Sequence, residues 1–225
     1  MTALFVTATG TGVGKTFVTA GLAAHLRAQG RMVEAIKPVV SGFDPATADV
    51  SDPGILLRAL GRAATGAEIA KISPWRFRAP LSPDLAARHE GRQLDFAALV
   101  QFSMDAITSR RDVLLIEGVG GIMVPLDDHH TVLDWMAALR LPLLLVCGSY
   151  LGTLSHTLSA VDVLKRRELS IAALIVSETA EGTVVLADTV STLTRFVHPI
   201  EVLALPRLDE GARAHATFDR LAERL

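Results

Sequence analysis

The 225-residue sequence predicts an α/β fold, a mostly parallel central sheet covered by helices on both faces, formed by a single domain over 1–225. Three observations predict it. Short apolar runs alternate with helix-length amphipathic segments from end to end, the pattern of βα units stacked into a parallel sheet. The apolar runs are continuous Val, Ile and Leu stretches, as strands covered on both faces require, rather than the apolar–polar alternation of a half-exposed strand. No repeat or linker divides the chain, and a domain of this size can bury roughly 70% of its unfolded surface.

In chain order, strands are expected at 4–7, 33–38, 113–117, 143–147, 172–176 and 202–205. Helices are expected at 15–28, 52–60, 95–109, 131–139, 154–167 and 184–196, with one more near the C-terminus. Right-handed crossovers then bring the strand C-termini to one edge, and a site is expected along that edge.

Composition excludes several classes. The longest apolar runs are about seven residues, far short of the ~20 that span a bilayer, so no membrane span is expected. Residues 1–9 read as a strand without a basic leader, which argues against a signal peptide. The net charge is −2 and the basic residues are dispersed, whereas nucleic-acid binding needs clustered Lys and Arg. The lone cysteine, Cys147, lies in the apolar run 141–147 and reads as a buried, inert thiol in a cytoplasmic protein. Only four of the 22 basic residues are lysines, Lys15, Lys37, Lys71 and Lys165. A lysine kept in so Arg-rich a chain suggests a place where a compact ammonium is needed.

The segment Leu4-Phe5-Val6-Thr7-Ala8-Thr9-Gly10-Thr11-Gly12-Val13-Gly14-Lys15-Thr16 runs strand, glycine-rich turn, helix start. That is the context a P-loop requires. Its glycines let successive N–H groups point inward around an anion, the helix N-terminus adds partial positive charge, Lys15 reaches the β and γ phosphates, and the Thr16 hydroxyl ligates Mg²⁺. Thr9 stands where the strict Gly-x4-Gly-Lys-Thr pattern has its first glycine, so the loop is a variant. The dimeric ATPases that move plasmids or reduce dinitrogenase carry a second lysine five residues before the loop lysine. Gly10 occupies that position here.

A second element, Asp112 to Gly121, is an apolar strand ending in Glu117 and followed by Gly118, Gly120 and Gly121. It looks like a Walker B strand, whose carboxylate holds Mg²⁺ opposite Thr16 directly or through water. A third, Val33 to Gly42, delivers Lys37 at a strand end and Ser41 in the following turn, placing a second cation near the phosphates. Asp44, Asp49 and Asp52 each offer a further metal carboxylate, and spacing alone does not choose among them. The histidines, among them His129, His130 and His156, have no metal-ligand spacing; Trp75 and Trp135 read as core residues.

With Gly10-x-Gly12-x-Gly14-Lys15-Thr16, Lys37-Pro38-Val39-x-Ser41-Gly42 and Glu117-Gly118-x-Gly120-Gly121 in register, the chain resembles the dethiobiotin synthetases. Ala79-Pro80-Leu81-Ser82-Pro83, Glu90-Gly91-Arg92 and Leu151-Gly152-x-x-x-His156 extend the resemblance to about residue 208. It implies a P-loop NTPase fold and a reaction joining 7,8-diaminopelargonate, CO₂ and ATP into dethiobiotin, ADP and phosphate. One amine captures CO₂ as a carbamate, the carbamate oxygen attacks the γ-phosphoryl group to give a mixed anhydride, and the second amine closes the ureido ring.

The same resemblance implies catalytic roles for Lys37, Lys15 and Thr11. It implies nucleotide contacts from Gly12, Val13, Gly14, Lys15, Thr16, Phe17, Glu117, Ser177 and Pro206. Substrate contacts would come from Thr11, Lys37, Ser41, Gly120, Gly152, Thr153, Leu154 and Ser155, the last four across a homodimer interface. Mg²⁺ would be ordered by Thr16, Asp52 and Glu117, with Asp52 chosen because Ser51-Asp52 aligns with a Ser-Asp pair in the family. Three positions depart from the family. Ala8 replaces a loop glycine, Ser155 an asparagine, and Ser177-Glu178 an Asn-Asp pair whose Asn reads adenine. A pocket reading mainly the triphosphate would accept several nucleotides. The residues by themselves leave two other readings open, a P-loop small-molecule kinase and a nucleotide-dependent switch.

Overall fold

A computed structural model describes residues 2–180, 182, 184–208 and 215–225. The first strand, β1 (Thr2–Ala8), runs into the glycine-rich turn and then α1 (Lys15–Ala28), as expected. The chain continues through β2 (Val33–Ile36), β3 (Val39–Ser41), α2 (Asp52–Ala59), α3 (Gly66–Ile72), β4 (Trp75–Phe77), α4 (Pro83–His89) and α5 (Phe96–Ser109). It then forms β5 (Val113–Glu117), α6 (Val132–Leu139), β6 (Leu143–Gly148), α7 (Thr153–Arg166), β7 (Ile171–Ser177), α8 (Leu186–Val197), β8 (Val202–Leu205) and α9 (Ala216–Ala222).

Six strands form a parallel sheet in the order β2-β5-β1-β6-β7-β8. The chain fills one side of β1 with β2 and β5 and the other with β6, β7 and β8. Such a reversal leaves a crevice beyond the strand C-termini, which is where ligands bind in open α/β sheets. Here the reversal falls at the strand that feeds the phosphate loop.

Every residue of β5 and β6 is buried, which accounts for their unbroken apolar sequences. Phe5 of β1 meets the edge of the Trp135 ring, with centroids 4.8 Å apart, and the Trp135 indole N–H donates to Ser103 Oγ at 3.1 Å. Trp135 is therefore the core residue expected, with its polar atom satisfied. Trp75 is only partly buried, set edge-on to Phe102.

One expected strand divides. The run 33–38 is paired only to Ile36, and the chain then leaves the main sheet so that β3 pairs in parallel with β4. Pro38 has no N–H to continue a ladder. The Lys37 N–H is instead taken by Ile72 O at 3.1 Å, and Lys37 O accepts from Ser73 Oγ at 2.6 Å. This short second sheet and helices α3 and α4 are additions to the expected elements.

Candidate active site

Gly14 caps α1 in the left-handed region at φ +100°, and Gly12 has φ +73°. Only glycine reaches these conformations freely, which is why both positions carry it. The turn brings Lys15 back over the loop, where its ammonium donates to Gly10 O at 3.0 Å and Gly120 O at 2.8 Å. Lys15 thus ties the phosphate loop to the glycine turn after β5. These are carbonyl partners that an anion could replace.

Glu117, at the C-terminal end of β5, is fully buried. Its Oε1 accepts from Thr16 Oγ1 at 2.7 Å and from Lys37 Nζ at 2.6 Å. Lys37, itself 3% exposed, also donates to Gly118 O at 3.1 Å and pairs with Asp52 Oδ2 at 3.1 Å. Burial pulls Lys37 down, but the two carboxylates hold it above the ordinary lysine range. Burial would raise the Asp52 carboxyl, but Lys37 and the Thr16 hydroxyl hold it below its usual value. Lys15 behaves differently: burial, reinforced by the charge on Lys37, lowers it to about 8.

Among the three candidate acids in the loop after β3, Asp52 reaches this cluster, because Ser51 caps α2 and sets Asp52 as its first residue. Asp44 instead caps a short 3₁₀ turn. Thr16, Glu117 and Asp52 present hard oxygen donors of the kind Mg²⁺ takes, and Glu117 Oε2 is buried without a hydrogen-bond partner. An acceptor in that state suits a cation. No group of three or more His, Cys, Asp or Glu side chains suited to a metal occurs among the described residues. Mg²⁺ in phosphate-binding sites is held by one or two carboxylates together with substrate phosphates.

The cluster floors a cleft of about 600 Å³ lined by Thr11, Gly12, Gly14, Lys15, Thr16, Phe17, Lys37, Ser41, Asp52 and Gly120. Ser41 Oγ is buried and unpartnered there. Pro80, Leu81, Ser82, Pro83, Val119 and Val124 complete the wall. The resemblance supplied the Pro80–Pro83 block without a role. A Pro-rich turn ahead of α4 is the signal that could have placed it, but only the β3–β4 sheet carries that turn over the cleft.

A second pocket of about 340 Å³ continues from the loop, lined by Gly12, Val13, Gly14, Phe17, Ser177 and Pro206. Glu178, Thr179, Arg207 and Leu208 also line it and were not assigned from the sequence. Ser177 abuts the loop: a Cβ on Gly14 would lie 2.7 Å from Ser177 Oγ.

Four residues expected at the substrate do not line either pocket. Gly152 caps α7 with φ +99°, and Thr153 is buried, its hydroxyl donating to Gly148 O at 2.7 Å. Leu154 packs against the core and Ser155 is exposed. Next to them Leu151 is 87% exposed. His156, whose Nδ1 lies 2.9 Å from the Tyr150 hydroxyl, shares an open hollow with Thr9, Gly10 and Thr11.

Comparisons with known proteins agree with this architecture. The AAA domain family matches residues 2–213. The ATP-dependent dethiobiotin synthetase BioD of Acidiphilium cryptum is 44% identical over 225 residues, covering all of both chains. The BioD of Caulobacter vibrioides is 49% identical over 208 residues, 92% of this chain and 93% of that one. Among solved structures, the cell division ATPase MinD of Pyrococcus furiosus superposes with a TM-score of 0.56 at 18% identity, covering 100% of this chain and 98% of that one; it shares the fold. By the extent of these matches, the chain belongs to the AAA domain family and to the family of ATP-dependent dethiobiotin synthetases.

Proposed function

We propose that the protein carboxylates 7,8-diaminopelargonate with CO₂ and closes the ring to dethiobiotin at the expense of ATP, as a cytoplasmic, Mg²⁺-dependent homodimer. The observation that carries this reading is the buried Lys37 ammonium, set between Glu117 and Asp52 in the wall of the cleft that Lys15 also lines. A simple kinase of this fold needs the loop cation. A second fixed cation is what a carbamate needs while its oxygen attacks the γ-phosphoryl group, because anionic oxygens accumulate on both reactants.

In this reading Lys15 exchanges its carbonyl partners for phosphate oxygens and neutralises the transferred group. Lys37 holds the carbamate against the γ-phosphate. Thr11 and the unpartnered Ser41 hydroxyl orient the diamine, and Pro80, Leu81 and Val124 cover its carbon chain and keep water from the anhydride. Thr16, Glu117 and Asp52 hold Mg²⁺, which supplies charge neutralisation at the phosphates when bound. The exposed Leu151 and the segment Gly152–Ser155, which does not reach its own cleft, support a contribution from one subunit to its partner's substrate site.

Phosphate release from Mg-ATP, measured with and without 7,8-diaminopelargonate and bicarbonate, tests the proposal. Release that requires both co-substrates is expected. Release indifferent to bicarbonate would turn the assignment toward the kinase, and release indifferent to both toward the switch.

A further inference from the structure

The pocket beyond the phosphate loop has four polar side chains among its described lining residues, Ser177, Glu178, Thr179 and Arg207. Of these, Glu178 alone is acidic. The Ser177 hydroxyl lies against Gly14 of the loop. Thr179 is tied reciprocally to Ser149, its hydroxyl accepting from Ser149 N–H and its own N–H donating to Ser149 Oγ, both at 3.0 Å. Arg207 is exposed to solvent.

Glu178 is different. Its N–H donates to Leu205 O at 2.9 Å, and its Oε2 accepts from the Arg207 N–H at 2.9 Å, so the carboxylate is anchored across the ends of β7 and β8 in the pocket wall. Each carboxylate oxygen can accept more than one hydrogen bond, so this anchoring leaves acceptor capacity on both.

We propose that Glu178 is the residue that reads the nucleobase, and that it favours an edge donating two adjacent N–H groups, the N1–H and N2–H of guanine. The inference rests on the nucleotide site described above and deepens it. A carboxylate only accepts. Against adenine it meets one donor, the N6 amino group, beside the N1 lone pair, which repels the second oxygen. Cytosine presents the same donor–acceptor pair. Guanine satisfies both oxygens in a bidentate pair, the geometry that makes such contacts discriminating. Glutamine at this position would keep an acceptor for the Arg207 N–H while offering the base one donor and one acceptor, the complement of adenine.

The test is calorimetric affinity for Mg-GDP and Mg-ADP, wild type against Glu178→Gln, with thermal unfolding of the unliganded proteins as the folding control. The wild type is expected to bind GDP at least as tightly as ADP, and E178Q to shift the GDP-to-ADP affinity ratio roughly tenfold toward ADP. An unchanged ratio, or an equal loss for both nucleotides, would mean that Glu178 only braces β7 against β8, and would overturn the proposal while leaving the carboxylase reading intact. Failure of the wild type to bind either nucleotide would overturn the nucleotide site and this proposal with it. Because binding is read without diaminopelargonate or bicarbonate, loss of the carboxylase reading alone would not move the result.

Discussion

Lys37 and Lys15 are both buried ammoniums of one cleft, yet their surroundings push them in opposite directions. Lys37 has two carboxylates and is held charged. Lys15 has carbonyl partners and a neighbouring cation, and falls to about 8. In the free protein Lys15 therefore loses its proton as pH rises through about 8, well below the ordinary lysine value of 10.5 that the unfolded chain keeps. Phosphate oxygens restore the higher value, so nucleotide binding takes up a proton in that window. Calorimetry at pH 8 to 9 in buffers of different ionisation enthalpy is expected to register the uptake, and Lys15→Ala to abolish it while weakening triphosphate binding; equal heats in all buffers would refute it. Lys37→Ala should abolish turnover with nucleotide affinity largely kept, and near-wild-type ring closure would remove Lys37 from the chemistry. The variant should also unfold more easily, since leaving Glu117 buried without its cation costs about 3–5 kcal/mol by analogy with broken buried pairs. Both lysines were legible in the sequence, because each follows its strand within a local motif. Glu178 was visible only as a departure from the family pair: its anchoring depends on Arg207, 29 residues away, whose N–H donates to its carboxylate.

At the scale of elements, the entry of α1 is set by Gly14, whose positive φ and contact with Ser177 leave no room for a side chain. Gly14→Ala should cost about 1–2 kcal/mol in backbone strain alone and lose nucleotide affinity. Adding Ser177→Gly should not restore binding, because it removes the contact and leaves the φ; full restoration in the double variant would show that the contact was the whole constraint. Further along α1, Gly21 touches the fully buried Phe218 of α9, whose ring carbon would lie 2.2 Å from an added Cβ. Gly to Ala inside a helix ordinarily gains about 0.5–1 kcal/mol. Here overpacking, typically about 1–3 kcal/mol, should reverse the sign, so Gly21→Ala should lower the melting temperature and Gly21→Ala/Phe218→Leu should recover part of it. A melting temperature that rises in the single variant would mean that α9 is not held against α1 by this contact.

Over the whole molecule, the parallel sheet is sealed on both faces, and Cys147 lies fully within it. Burial pushes its thiol up to about 11. An aromatic disulfide reagent should leave the native protein unmodified and react fully once it is unfolded; rapid native reaction would contradict the packing of β6. Sedimentation at micromolar concentration should give twice the chain mass if one subunit completes its partner's site. Leu151→Asp should then produce monomers that keep nucleotide affinity but lose substrate affinity, and monomers with full substrate affinity would confine the site to one chain.

The sequence by itself determined the order of the main-sheet elements, the phosphate loop, Lys37 and Glu117. Continuous apolar runs admit only a doubly covered strand, and a Gly-rich turn between strand and helix has few other uses. The tertiary structure decided what depends on distant pairings. It ended β2 at Ile36 and formed the β3–β4 sheet that carries Pro80–Pro83 over the cleft. It brought Asp52, the acid that the resemblance names, against Lys37 through the capping of α2. It aligned β7 with β8, so that Glu178 became an anchored carboxylate in the wall of the pocket beyond the phosphate loop. In each case the deciding contact joins segments far apart in the chain, and local propensity carries no information about which distant partner a residue will meet.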